Sequence, residues 1–284
     1  MPSVSYAVRK ALALLFSLIS VIGNSFSGEP YVAEGNALLI NSYTYSLEDG
    51  MCFGQGLACD GEYFYGFGAF KAFNFNAVTK IDADTGEILE INEMCLPAEV
   101  MLKGYSHLGD GCIYSGRLYV AMEDFGFRNP AVAVFDSGTL EFKDYFLVPA
   151  EGRGNGRIPW CAIKDGILYY TQSNDVDEIR MISLEDYSYA GAVKINKTLY
   201  KVQGGEFVGD KLYLVTNSEK YDKPVYEIDF NTGEVNLLFS HSTSKTDTEG
   251  EGIAICPLDS GADFHILDVG ANVRISSFKS GLSE

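Results

Sequence analysis

Tryptophan, histidine and proline are scarce in this 284-residue chain, which holds one, three and eight of them. Three histidines, at 107, 241 and 265, are too few for a His-rich metal site. The sequence has no C-x-x-C pair, no G-x-S-x-G and no H-E-x-x-H, so zinc-knuckle, dithiol-redox, nucleophile-elbow and zincin chemistry have no support. Positive charge is also short: 21 Lys and Arg stand against 39 Asp and Glu, for a formal net charge of −18. No stretch gathers the basic residues on one face, and such a chain repels phosphate, which excludes nucleic acid as a partner. Long apolar runs are missing after the first residues, so no segment beyond them is expected to cross a membrane. Thirty glycines, eighteen tyrosines and eighteen phenylalanines remain, with 46% hydrophobic residues overall. That composition excludes disorder and points to an all-β chain rich in turns.

Residues 1–27 read as a secretory signal peptide rather than as part of the fold. Arg9 and Lys10 form a positive start, Ala11 to Gly23 is a 13-residue apolar run, and Ser25 and Ser27 suit a cleavage site. No Cys follows to accept a lipid. The expected product is one domain over 28–284, secreted or, in a bacterium, periplasmic, monomeric and free of the membrane after cleavage. Six cysteines, at 52, 59, 95, 112, 161 and 256, are an even number suited to an oxidising compartment. One or two bridges are expected among fifteen formal connectivities. Asn196-Lys197-Thr198 is a glycosylation sequon if the source is eukaryotic.

The chain repeats itself. Five units open at Gln55-Gly56-Leu57, Asp110-Gly111-Cys112, Trp160-Cys161-Ala162, Gly204-Gly205-Glu206 and Glu251-Gly252-Ile253. Each continues as an apolar strand, a Gly turn and a second strand, at intervals of roughly 44 to 55 residues, which is the period of propeller blades. Hairpins such as Lys80-Ile81-Asp82 to Thr85-Gly86-Glu87 and Glu227-Ile228-Asp229 to Thr232-Gly233-Glu234 supply further strands. The expected fold is therefore a five-bladed β-propeller. Its last unit has only three strands, 251–257, 263–268 and 272–278, and the segment 37–45 is predicted to close that blade from the N-terminal side, removing an open edge.

The first strand of each blade lines the central channel, so its opening residues should converge. Gln55, Asp110, Trp160, Gly204 and Glu251 take one equivalent position, with His107, Gln203, Glu206 and Glu249 beside it. Buried carboxylates are costly unless paired, hydrogen-bonded or metal-bound. Convergent polar groups with an aromatic wall are the ordinary make-up of a small-molecule site. Wet channel lining, and packing of Trp160 between blades, are the bland alternatives. Four other signals were set aside. Asp82 to Glu87 starts like a calcium loop but lacks the sixth-position Gly and flanking helices. Asp175 to Glu178 reads as a solvated loop, Gly152 to Arg157 as a flexible connector, and His265 as core.

The order of these blade starts resembles the plant and bacterial type of glutaminyl cyclase (glutamine cyclotransferase), a five-bladed propeller. Gln55-Gly56-Leu57 matches the family's first run. Gly109-Asp110-Gly111-Cys112 stands where the family has Gly-Glu-Gly-Leu, with its catalytic glutamate. Pro159-Trp160-Cys161 falls at Gly-Trp-Gly, Gln203-Gly204-Gly205-Glu206 at Asn-Glu-x-Glu, and Glu251-Gly252-Ile253-Ala254 at Asn-Gly-Ile-Ala. Asp110 is one methylene shorter than the glutamate, Glu251 replaces an asparagine, and Gly66 to Phe70 lacks the family's Glu-Ser-Thr-Gly.

Three functions follow. One is an exported propeller whose acidic channel mouth binds a small cationic or peptide ligand, with Gln55, His107, Trp160, Gln203, Glu249 and Glu251 as its contacts. The second, implied by the resemblance, is cyclisation of N-terminal glutaminyl peptides. Asp110 would shuttle the proton, Trp160 would stack on the substrate, Glu206 and Glu251 would attract its amine, and no cofactor is required. The third is a calcium-dependent lactonase or phosphotriesterase-like hydrolase, with Ca²⁺ held by channel oxygens and His107 as base; the sequence does not fix the metal ligands.

Overall fold

A computed structural model describes residues 30–70, 75–218, 222–242, 248–270 and 272–280. The leader read over 1–27 lies outside the described residues. The described residues are almost entirely β: among them twenty-one strands form five sheets. Blade one is β3 (Gly56–Cys59), β4 (Tyr63–Phe70), β5 (Phe75–Asp82) and β6 (Ile88–Glu93). Blade two is β7 (Tyr105–Tyr114), β8 (Arg117–Asp124), β9 (Ala131–Asp136) and β10 (Phe142–Leu147). Blade three is β11 (Ala162–Lys164), β12 (Ile167–Tyr170), β13 (Val176–Ser183) and β14 (Tyr189–Leu199). Blade four is β15 (Val202–Val208), β16 (Lys211–Thr216), β17 (Asp222–Asp229) and β18 (Glu234–Ser242). Blade five is β19 (Glu249–Ile255), β20 (Phe264–Val269) and β21 (Val273–Lys279), completed by β2 (Leu38–Tyr45). All ladders within the blades are antiparallel, as in a meander.

The closure expected from the sequence is present. β2 pairs with β21 from Leu38↔Lys279 to Tyr45↔Val273, so the ring is sealed by non-covalent pairing of the two chain ends. One disulfide, Cys59–Cys256, ties the inner strand of blade one to that of blade five across a sequence separation of 197. A further strand had no clear sequence signal: β1 (Tyr31–Gly35) adds to the outer edge of blade four by pairing with β18. Gly35 makes the transfer to blade five possible, because its φ of +91° suits glycine and a Cβ there would lie 2.5 Å from the Leu238 carbonyl oxygen.

Burial follows strand position. β3 is buried at every residue, whereas the outermost β14 alternates between part-buried and exposed positions along most of its length. Inner strands are covered on both faces by neighbouring blades, and outer ones are wet on one side. The core is accordingly not one mass. Five apolar clusters fill the five blade interfaces, for example Phe67, Leu108 and Phe135 between blades one and two, and Phe239, Ile253 and Phe264 between four and five. The hairpin aspartates behave as the sequence implies: Asp82 Oδ1 accepts from the Thr85 amide at 2.8 Å, and Asp136 and Asp229 repeat the turn. His265 is fully buried, bridging Ser277 Oγ and the Cys256 carbonyl at 2.9 Å each, in keeping with a core role. Among the described residues no helix is long and apolar enough to cross a membrane.

Candidate functional site

Five inner strands, β3, β7, β11, β15 and β19, surround the axis, and neighbours around the ring touch one another. At one end they frame a cavity of about 160 Å³, lined by Gln55, His107, Gly109, Glu123, Arg157, Pro159, Gln203, Glu249 and Glu251. Five of the nine residues expected at the mouth, Gln55, His107, Gln203, Glu249 and Glu251, therefore stand on its wall, and Gly204 lies outside its lining. Asp110, Trp160 and Glu206 do not.

Asp110 lies one step below and is fully buried. Its Oδ1 accepts the Leu57 amide at 2.7 Å, and its Oδ2 accepts those of Gly205 at 3.2 Å and Ile253 at 3.4 Å. Its own amide donates to the Pro159 carbonyl at 2.8 Å. One side chain on blade two thus gathers backbone groups from blades one, four and five, while its backbone holds the segment leading into blade three. Burial pushes its carboxyl well above the usual range, against the downward pull of the backbone donors. The glycines at the blade starts are what let the backbone come this close. A Cβ on Gly204 would meet Asp110 Oδ2 at 2.5 Å, and one on Gly252 would meet Oδ1 at 2.9 Å.

Trp160 is also fully buried, in the interface of blades three and four. Its indole donates to Thr171 Oγ1 at 2.8 Å, and its ring fills the place a Cβ on Gly205 would need, 2.6 Å away. It lies in the packed interface between blades and is not among the residues lining the cavity. Glu206 keeps some exposed surface, but protein crowds its carboxyl, and this crowding, rather than the surface that remains, sets its titration. Loss of hydration raises it to about 7, while the Phe207 amide pulls the other way.

Beta-bulges explain why equivalent positions face differently. Register slips fall between Leu108 and Gly111 in β7, Val202 and Gly204 in β15, and Gly250 and Gly252 in β19. Each slip re-aims the side chains that follow. In β19 this sends Glu251 into the cavity, where Gln203 Nε2 donates to its Oε2 at 3.1 Å. Glu251 is 8% exposed. Burial raises its carboxyl well above the ordinary range, helped by a hydrogen bond with Glu249 and by the charges of Glu249 and Asp110, and opposed by Arg157. Glu251 is thereby biased toward its protonated form at the cavity wall.

The opposite wall contains two residues that the sequence reading did not single out. Glu123, 2% exposed, is the penultimate residue of β8 and lies directly across from His107 on β7. Its Oε2 lies 3.6 Å from His107 Nδ1, and its Oε1 lies 3.5 Å from Arg157 Nε and accepts the Ile158 amide at 3.1 Å. Arg157 also lies over the Phe127 ring, 4.5 Å from its centre. The Gly152–Arg157 segment connects blades two and three and is anchored along the way. Ala150–Gly152 forms a 3₁₀ turn, Arg153 Nε donates to the Val148 carbonyl at 2.9 Å, and Arg157 is delivered into the site. Likewise Asp175 to Glu178 is not wholly a loop, since β13 begins at Val176. Cross-strand pairing with His107 was the available signal for Glu123; Arg157 carried none beyond its place just before Trp160.

Among the described residues, one group of three metal-type ligand atoms comes within ion-holding distance, from Cys59, Cys256 and His265, and its two sulfurs are already joined in the disulfide.

No family model matches the chain, and no curated protein matches it in sequence. Solved structures do match. The glutaminyl cyclase of Myxococcus xanthus aligns with a TM-score of 0.59 and 14% identity, over 86% of this chain and 97% of its own. A luciferin-regenerating enzyme aligns with a TM-score of 0.52 and 10% identity, over 86% and 96%. At these identities the likeness is one of fold, and it includes the propeller that the blade starts resemble.

Proposed function

We propose that the mouth cavity binds a small molecule or peptide end through a cationic amine, seated on the Glu249–Glu251 pair. The observation that carries this reading is the division of charge across the cavity. His107 and Arg157 are engaged by Glu123, whereas Glu251 has as its hydrogen-bond partners the neighbouring Glu249 carboxyl and the Gln203 amide. An ammonium group would take the place of the proton that burial favours on Glu251 and would pair with both carboxyl groups. A volume of about 160 Å³ is that of roughly five waters. It suits an amino group and the first few carbons of a ligand, with the remainder outside. Gln55 on the rim offers an amide for a neighbouring polar group.

Isothermal titration with a Gln-initiated dipeptide and its N-acetylated form tests the reading. The free amine is expected to bind at least tenfold more tightly. Equal binding of the two, or of neither, contradicts it.

A second reading rests on the His107–Glu123 cross-strand pair, an imidazole oriented by a buried carboxylate, which is an acid–base arrangement. It favours glutaminyl cyclisation by His107 in place of Asp110: the α-amine attacks the γ-amide carbon, the amine proton passes to the leaving nitrogen, and ammonia departs. Ammonia release from the same dipeptide supports it, and stoichiometric binding without release rejects it. A chelator-sensitive melting temperature would instead favour the calcium-dependent reading.

A further inference from the structure

Four cysteines stand outside the disulfide, and all are buried. Cys52 packs between blades five and one, and Cys95 between blades one and two. Cys112 and Cys161 occupy a single cluster between blades two and three, with Ala121 and Ile163. Cys161 Sγ donates to the Tyr119 carbonyl at 3.4 Å, and Tyr119 is the residue directly opposite Cys112 in the β7–β8 ladder. Two thiols from neighbouring inner strands thus meet at one backbone position. The Cys112 thiol also hydrogen-bonds to that of Cys161, and this bond, together with burial, raises its pKa well above the usual thiol range.

We propose that Cys112 and Cys161 close into a second inter-blade disulfide when the chain folds under oxidising conditions. The placement parallels Cys59–Cys256, which likewise joins the inner strands of adjacent blades. The reaction is thiol–disulfide exchange with a small disulfide, RSSR. One thiolate attacks RSSR and releases the first RSH; the second displaces the other RSH from the mixed disulfide. Two protons and two electrons leave the protein, and one S–S bond forms. Exchange needs an accessible thiolate, which neither buried cysteine offers after blades two and three have closed. The bond therefore forms during folding and is resistant to reductant afterwards. It would clamp the segment that gives its Pro159 carbonyl to the Asp110 amide and carries Arg157 into the cavity.

The full chain, refolded from the reduced state in a buffer of reduced and oxidised glutathione, is unfolded in guanidinium without reductant, alkylated and weighed. Two alkylated cysteines, with a 112–161 cross-linked peptide in the non-reducing digest, are expected. Four alkylated cysteines, or a bridge through Cys52 or Cys95, overturn the proposal. Cys112→Ala/Cys161→Ala is expected to melt several degrees below the oxidised wild type. If that variant does not fold, the cysteine count on the wild type still decides.

Discussion

The inner strands carry two acidic levels that lie one step apart along the axis and have opposite characters. At the lower level, Asp110 has both oxygens filled by main-chain amides from three blades and no path to solvent. At the upper level, Glu249 and Glu251 have each other, Gln203 and a cavity. Carboxyl groups stand at both levels, so their presence alone does not separate them. Partner supply does. A carboxylate whose lone pairs are used by the fold's own N–H groups holds the fold together, and one left facing another carboxylate is open to a ligand.

Substituting the lower acid should break this contrast most severely. Asp110→Ala strands three buried amides, each worth about 1–3 kcal/mol when unpaired, so urea unfolding should show a loss of about 4 kcal/mol or more, or no folded protein. The glycine collar comes next. Gly204→Ala drives a methyl into the Asp110 carboxylate and is expected to cost about 2–3 kcal/mol by the same measurement, in the range of other overpacked cores.

Glu206 sharpens the contrast through pH. Its carboxyl is held near 7 in the folded protein against an ordinary 4.5, so the native state keeps a proton that the unfolded chain releases. Its contribution is complete below about pH 4.5 and lost as pH rises through 7, by up to about 3 kcal/mol before allowance for partial exposure. Glu206→Gln should flatten that part of a stability–pH profile; an unchanged slope would place the proton elsewhere. The smallest stability effect is expected at the upper level. Glu251→Gln removes a repulsion and should shift stability by less than about 1 kcal/mol, while weakening amine binding tenfold or more. In the wild type, amine affinity should rise with pH until the amine itself loses its proton, because binding releases the proton that burial favours on Glu251.

Much of the fold was legible because a propeller repeats. The five blades, the Asp-turn hairpins and the closing strand near 37–45 are all periodic features and all appear, although the innermost strand of blade two begins at Tyr105 rather than Asp110 and that of blade three at Ala162 rather than Trp160. The site was legible only in part. Alignment put Asp110, Trp160 and Glu251 at one position, but bulges in β7, β15 and β19 turn equivalent residues to different levels, and a bulge leaves no residue-type signature strong enough to read. Arg157 was hidden in a glycine-rich segment whose anchors, Val148 and Asn129, become neighbours only after folding. β1 was hidden for a similar reason: five residues, four of them exposed, carry no alternating apolar pattern.

A crystal structure of the protein soaked with a Gln-initiated dipeptide tests the central claim most directly. The α-ammonium is expected within about 3 Å of the Glu249 and Glu251 carboxylates, with Asp110 still bound to its three amides. A dipeptide seated away from those glutamates, or one whose amine is turned toward Arg157, would contradict it.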